Sequence, residues 1–162
     1  MDLPTLFSLE DEVENYKDLL ETIASGHSFA IINYRYFPLD EETNEIEPYV
    51  EEDQFDGIHS LSSFPDPPEL LTEEKLIDEI AKRLKSAYDF NQMFSSLKEK
   101  GEEIFPEVEK KLKNIVSLLK ESLIDVNEIE FRYFDEGGHD VCRIDIKQND
   151  HLQIFQFIEF ID

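Results

Sequence analysis

Apolar residues recur at helical spacing, as Val13, Tyr16, Leu20, Ile23 and Ala24, in the stretch from Ser8 to Gly26. Ser8, with Asp11 three residues on, is a start signal and Gly26 a stop, so a first helix is predicted there. The next stretch, HSFAIINYRYF at 27–37, is rich in β-branched and aromatic residues with no helical period, and predicts a strand. From Pro38 to Leu71 the pattern loses its period, and Pro48, Gly57, Pro65, Pro67 and Pro68 punctuate it against long regular elements.

Thr72 is a cap for a second helical stretch in which Leu76, Ile80, Leu84, Ala87, Tyr88, Phe94 and Leu97 keep one face apolar. Asp89 to Gln92 marks a candidate break, and Lys98, Lys100 and Gly101 are the expected terminators. Pro106 is the expected first position of a further helix, whose stripe is Phe105, Val108, Leu112, Ile115, Val116, Leu119 and Leu123. After Asp125 the period changes to two. NEIEFRYF and DVCRIDIKQ flank DEGGH, whose paired glycines suit a hairpin turn, and HLQIFQFIEFID follows another turn at Gln148 to Asp150. That last strand is apolar on both faces, which predicts a central position with cover on both sides.

The expected fold is α+β: an antiparallel sheet of about four strands packed with three to four helices. The four strands are one after the first helix and a C-terminal three-stranded meander. Residues 1–162 are read as a single acidic domain, with an acidic, proline-punctuated connector at 38–71. About a third of the residues are Leu, Ile, Val or Phe, enough for a core despite the charge.

The formal net charge is −24. A compact body with that much like charge repels itself, and the phosphate term in binding nucleic acid or an anionic membrane would be unfavourable. The expected partner is cationic. Cys142 is the sole cysteine, which excludes an internal disulfide framework and cysteine-rich zinc sites. The N-terminus has an acid at position 2, no basic n-region and no long apolar run. A complete, cytoplasmic chain is the expectation.

Enzyme signatures are weak. There is no glycine-rich phosphate loop, G-x-S-x-G elbow or H-E-x-x-H, and five glycines are few for a nucleotide cradle. Cys142 lies mid-strand and reads as a core residue, while His27, His59, His139 and His151 sit beside turns or in the connector and read as solvated or loop-ordering. EEDQFDGIH lacks the spacing of a calcium loop. No enzyme and no cofactor are expected. The rival is a metal-dependent nuclease built on Asp135, Asp145 and Lys147, the last two sharing one strand face.

The charge itself is patterned. Leu39 to Asp56 holds nine carboxylates and no base, interleaved with apolar anchors. The first helix adds Glu10, Asp11, Glu12, Glu14, Asp18 and Glu21 against Lys17, whereas most of the bases fall on the central helices. The expected function is inhibition. The acidic surface would occupy the nucleic-acid-binding groove of a basic protein, in the manner of a nuclease-toxin immunity protein or a phage-encoded DNA-mimic anti-defence protein. Its expected contacts are Asp40, Glu41, Glu42, Glu45, Glu47, Glu51, Glu52, Asp53 and Asp56, with Tyr49 and Phe55 as anchors. A non-inhibitory subunit or chaperone for a basic protein is the alternative, and the helix-borne lysines allow a second interface with another copy of the chain.

Overall fold

The computed structural model describes residues 2–24, 28–39, 54–55 and 58–161. Helix α1 (Leu3–Glu21) begins five residues before the predicted start at Ser8. Asp2 caps it by accepting from the Thr5 N–H at 3.3 Å and the Thr5 hydroxyl at 2.7 Å. Burial explains the extra turn: Leu6 and Leu9 extend the apolar stripe of Val13, Tyr16 and Leu20 into the core, so packing stabilises what a local signal at Ser8 does not reach. The helix stops at Thr22, whose hydroxyl donates to the Leu19 carbonyl at 2.7 Å, and the expected stop, Gly26, lies outside the described residues.

Strand β1 (Ser28–Pro38) follows. Two short strands, β2 (Gln54–Phe55) and β3 (Ile58–His59), pair as a hairpin. A 3-10 turn over Leu61–Ser63 and the two-residue strand β4 (Glu69–Leu70) complete the connector, consistent with its lack of period. Helix α2 (Glu73–Phe94) starts at the predicted Thr72 cap and runs through Asp89 to Gln92 without a break.

Helix α3 (Lys98–Ser122) overturns the predicted boundaries, since Lys98, Lys100 and Gly101 open it and Pro106 lies inside it. Gly101 is there for close approach rather than termination. A Cβ on it would lie 1.6 Å from the Gln92 side-chain oxygen, and the Gln92 amide donates to the Lys98 carbonyl at 2.8 Å across the α2–α3 turn. Pro106 forfeits one intrahelical bond, a cost the buried stripe of Ile104, Val108, Ile115 and Leu119 offsets.

The meander is β5 (Val126–Glu136), β6 (His139–Gln148) and β7 (His151–Ile161). Gly137 and Gly138 take φ of 58° and 91° in the predicted hairpin turn. The sheet is antiparallel with order β1-β7-β6-β5-β4, so it has five strands, the fifth being the short edge β4. As expected, β7 lies inside, between β1 and β6.

All three helices cover one face of the sheet. Ile32, Tyr34, Ile129, Cys142, Ile144, Phe155 and Phe157 meet the apolar stripes of the helices there. The C-terminus of α3 is held in this core by a buried amide chain. Gln148 donates to the carbonyls of Ser122 at 2.8 Å and Ile124 at 2.9 Å, Gln153 donates to Gln148 at 2.8 Å, and the Tyr34 hydroxyl donates to Gln153 at 2.6 Å. Carbonyls left without an intrahelical partner at the end of α3 are thus satisfied by side chains.

On the opposite face, Phe37, Ile58, Leu152 and Ile154 form a small cluster under the β2–β3 hairpin. Beside it lies a ladder of charges that the sequence does not reveal. Arg143, with 0% exposure, grips both oxygens of Asp145 at 2.7 and 2.9 Å and donates to the His59 carbonyl at 2.7 Å. Arg132 pairs with Glu130 at 3.0 Å, and Lys147 pairs with Glu130 and, at 3.7 Å, with Glu128. No helix among the described residues is long and apolar enough to cross a membrane.

Candidate binding surface

Of the expected contact residues, Asp40, Glu41, Glu42, Glu45, Glu47, Tyr49, Glu51, Glu52, Asp53 and Asp56 lie outside the described residues, and Phe55 is described only as a backbone position in β2. The stems on either side are fixed to the sheet. At the first, the Leu39 N–H donates to the Asp150 carbonyl at 3.0 Å. At the second, Gln54 pairs with His59, whose N–H donates to Gln156 at 2.9 Å and whose ring meets Phe134 edge-on at 5.8 Å. Phe64 packs edge-on against the same Phe134 at 5.1 Å.

Helix α1 supplies the described part of the acidic surface. With Leu6, Leu9, Val13, Tyr16 and Leu20 turned inward, the 3.6-residue period turns Phe7, Asp11, Glu14, Asp18 and Glu21 outward in one line. Asp11 to Glu21 spans about 15 Å of axis at 1.5 Å per residue, or about 5 Å per charge. One DNA strand carries a phosphate every ~3.4 Å, so the stripe is a sparser line of charge than a nucleic acid strand. Lys17 is the helix's one base, and it pairs with Glu14 at 3.6 Å.

The stripe begins beside β1. Phe7 meets Tyr36 of β1 edge-on at 5.9 Å, and Leu39, where the nine-carboxylate segment begins, is three residues further along. Partial burial and the charges of Glu10 and Asp11 raise the Tyr36 phenol above its ordinary value. Elsewhere many bases are consumed internally: Arg83 by Glu79 at 2.9 Å, Lys85 by Asp89 at 2.5 Å, and the three bases of the meander by the ladder. Helix α3 carries as many glutamates as lysines. The net charge therefore resides outside α3 and outside the buried ladder.

The rival catalytic trio is not brought together. Asp145 is buried and held by Arg143, while Lys147 pairs with Glu130 and Glu128. Asp135 stands five residues along β5 from Glu130, the cross-strand partner of Asp145, and the pleat turns it to the helix side. Among the described residues no group of three His, Cys, Asp or Glu is arranged to hold a metal ion.

Cys142 is buried as expected, and burial pushes its thiol up to about 12. His139 is exposed beside the hairpin turn. His151 is not solvated, since strand β7 buries it to 3% exposure, and its Nδ1 lies 2.6 Å from Asp150 of the preceding turn, which fits the loop-ordering role. His27 lies outside the described residues.

Comparison with known proteins finds no matching family model, no matching curated protein and no matching solved structure.

Proposed function

We propose that this protein is an acidic inhibitor that occupies the nucleic-acid-binding surface of a basic partner, as nuclease-toxin immunity proteins and DNA-mimic anti-defence proteins do. The observation that supports the reading best is the outward line Asp11, Glu14, Asp18 and Glu21 on a helix with one base. It begins beside the strand from which nine further carboxylates depart. Such a surface attracts a cationic groove over a Debye length, about 10 Å at 0.1 M salt, and raises the rate of encounter. Exposed pairs add only about 0.2–1 kcal/mol each once formed, so affinity needs several of them together with apolar anchors. Phe7, 52% exposed at the end of the stripe, is such an anchor, and Tyr49 and Phe55 are the others. Inhibition then requires no catalytic group, because the occupied groove excludes its nucleic acid.

The test is affinity capture from a lysate with two baits, the natural chain and a variant carrying Asp11→Asn, Glu14→Gln, Asp18→Asn and Glu21→Gln. The reading expects a basic nucleic-acid-handling protein on the natural bait, and its loss from the variant as salt rises from about 50 to about 300 mM. Equal retention of that protein by both baits would remove the stripe from the interface.

A further inference from the structure

Beside the acidic stripe, α1 and α3 leave a groove of about 470 Å3. Its lining is the polar rim of the two helices, exposed except for the half-buried Glu12 and Leu118. From α1 come Ser8, Asp11, Glu12 and Asn15, at i, i+3, i+4 and i+7, and from α3 come Asn114 and Ser117 with Leu118 beside them. None of these is basic. One long hydrogen bond crosses the groove, from the Asn114 amide to Glu12 at 3.5 Å, and it leaves the Asn114 carbonyl oxygen available as an acceptor.

The groove therefore faces its occupant with two carboxylates and four neutral oxygens distributed over two walls. An ammonium is a point charge with three donors, and one carboxylate cluster satisfies it. A guanidinium is a planar fork of five donors that needs acceptors on more than one side, and its faces and stem tolerate an apolar neighbour such as Leu118. We propose that this groove is a docking site for an arginine side chain of the basic partner, selected over lysine by the neutral acceptors Asn15 and Asn114. The inference rests on the inhibitor reading for the identity of the partner. Asp11 belongs to both features, so an arginine seated in the groove lies next to the stripe that attracts the rest of the basic surface.

The experiment uses the full chain with two probes, an arginine nonapeptide and a lysine nonapeptide of equal charge, at about 50 mM salt where exposed charge contacts are strong. The natural chain is expected to bind the arginine peptide about tenfold more tightly, the scale of one well-made hydrogen bond to a charged group. Titration with that peptide should also move the side-chain amide resonances of Asn15 and Asn114. The double variant Asn15→Leu, Asn114→Leu alters exposed positions and no charge, so it keeps the fold and the lysine affinity but loses the preference. Equal binding of both peptides by the natural chain, or a preference that survives in the variant, overturns the arginine site and leaves the inhibitor reading standing. If neither peptide binds, both fall.

Discussion

Replacing Arg143 by methionine removes three hydrogen bonds from a side chain with 0% exposure: two to Asp145 and one to the His59 carbonyl. What remains is a carboxylate at 3% exposure whose next cation, Arg132, stands 3.9 Å away and already pairs with Glu130. Breaking a buried pair from one side costs about 3–5 kcal/mol, because the other charge stays desolvated. Against a typical total stability of about 5–15 kcal/mol that is a large fraction. Removing both partners, as Arg143→Met with Asp145→Leu, leaves neither charge of the pair stranded. Its residual cost is the orphaned His59 carbonyl, about 1–3 kcal/mol. That carbonyl is orphaned in the single variant too, so the double variant should be more stable than the single one by the cost of the stranded carboxylate, about 3–5 kcal/mol. Urea titration at constant m reads both values from the shift in midpoint. A single variant that loses less than about 1 kcal/mol, or a double variant less stable than the single, would refute the buried-pair account.

The same ladder gives a pH dependence. Burial alone would raise the Glu130 carboxyl, but the hydrogen bond from Lys147 and the charge of Arg132 outweigh it and hold the group below the ordinary 4.5. A depressed carboxyl contributes stability that is full above its unfolded value and is lost as pH falls through its folded one. The stability difference between the natural chain and Glu130→Gln should be flat near neutrality and shrink below about pH 4.5; a difference constant down to pH 3 would contradict it. At the α2–α3 turn, Gly101→Ala gains about 1 kcal/mol of helix propensity but displaces Gln92 and its bond to Lys98, about 1 kcal/mol, for little net change. Adding Gln92→Ala clears the collision, so in chemical denaturation that double variant should exceed Gln92→Ala alone; equality would mean the glycine is needed for another reason. Salt should raise the thermal midpoint of the free protein between about 50 and 300 mM, since screening relieves the repulsion of a chain at −24 more than it weakens the buried pairs. A fall in the midpoint would show that exposed ion pairs dominate.

The α+β class, the meander with its Gly137–Gly138 turn, the Thr72 cap and the interior place of β7 are all legible in the sequence, because each has a local signature in periodicity or turn chemistry. The helix boundaries that failed are those decided by packing. Leu6 and Leu9 draw α1 back to Asp2, and the seat that Gly101 offers Gln92 moves the start of α3 ahead of Pro106. The ladder around Arg143 is invisible for a related reason, since it depends on the β5–β6 register and on a carbonyl of His59, 84 residues away in the chain. Asp145 and Lys147 carry a catalytic spacing in the sequence, and only that register shows them engaged with Arg143 and Glu130. The acidic stripe of α1 follows directly from the 3.6-residue period. The groove beside it could not be read, because Asn114 and Ser117 acquire meaning only once α3 is placed against α1.

The most direct measurement is competition on a captured partner: bind it to labelled nucleic acid at about 100 mM salt, then titrate in this protein and follow release. The account predicts complete displacement, with an apparent affinity that weakens in proportion to the nucleic acid added and a steeper loss with salt for the natural chain than for the stripe-neutralised variant. Formation of a stable ternary complex, with the nucleic acid still bound, would contradict inhibition by occupancy.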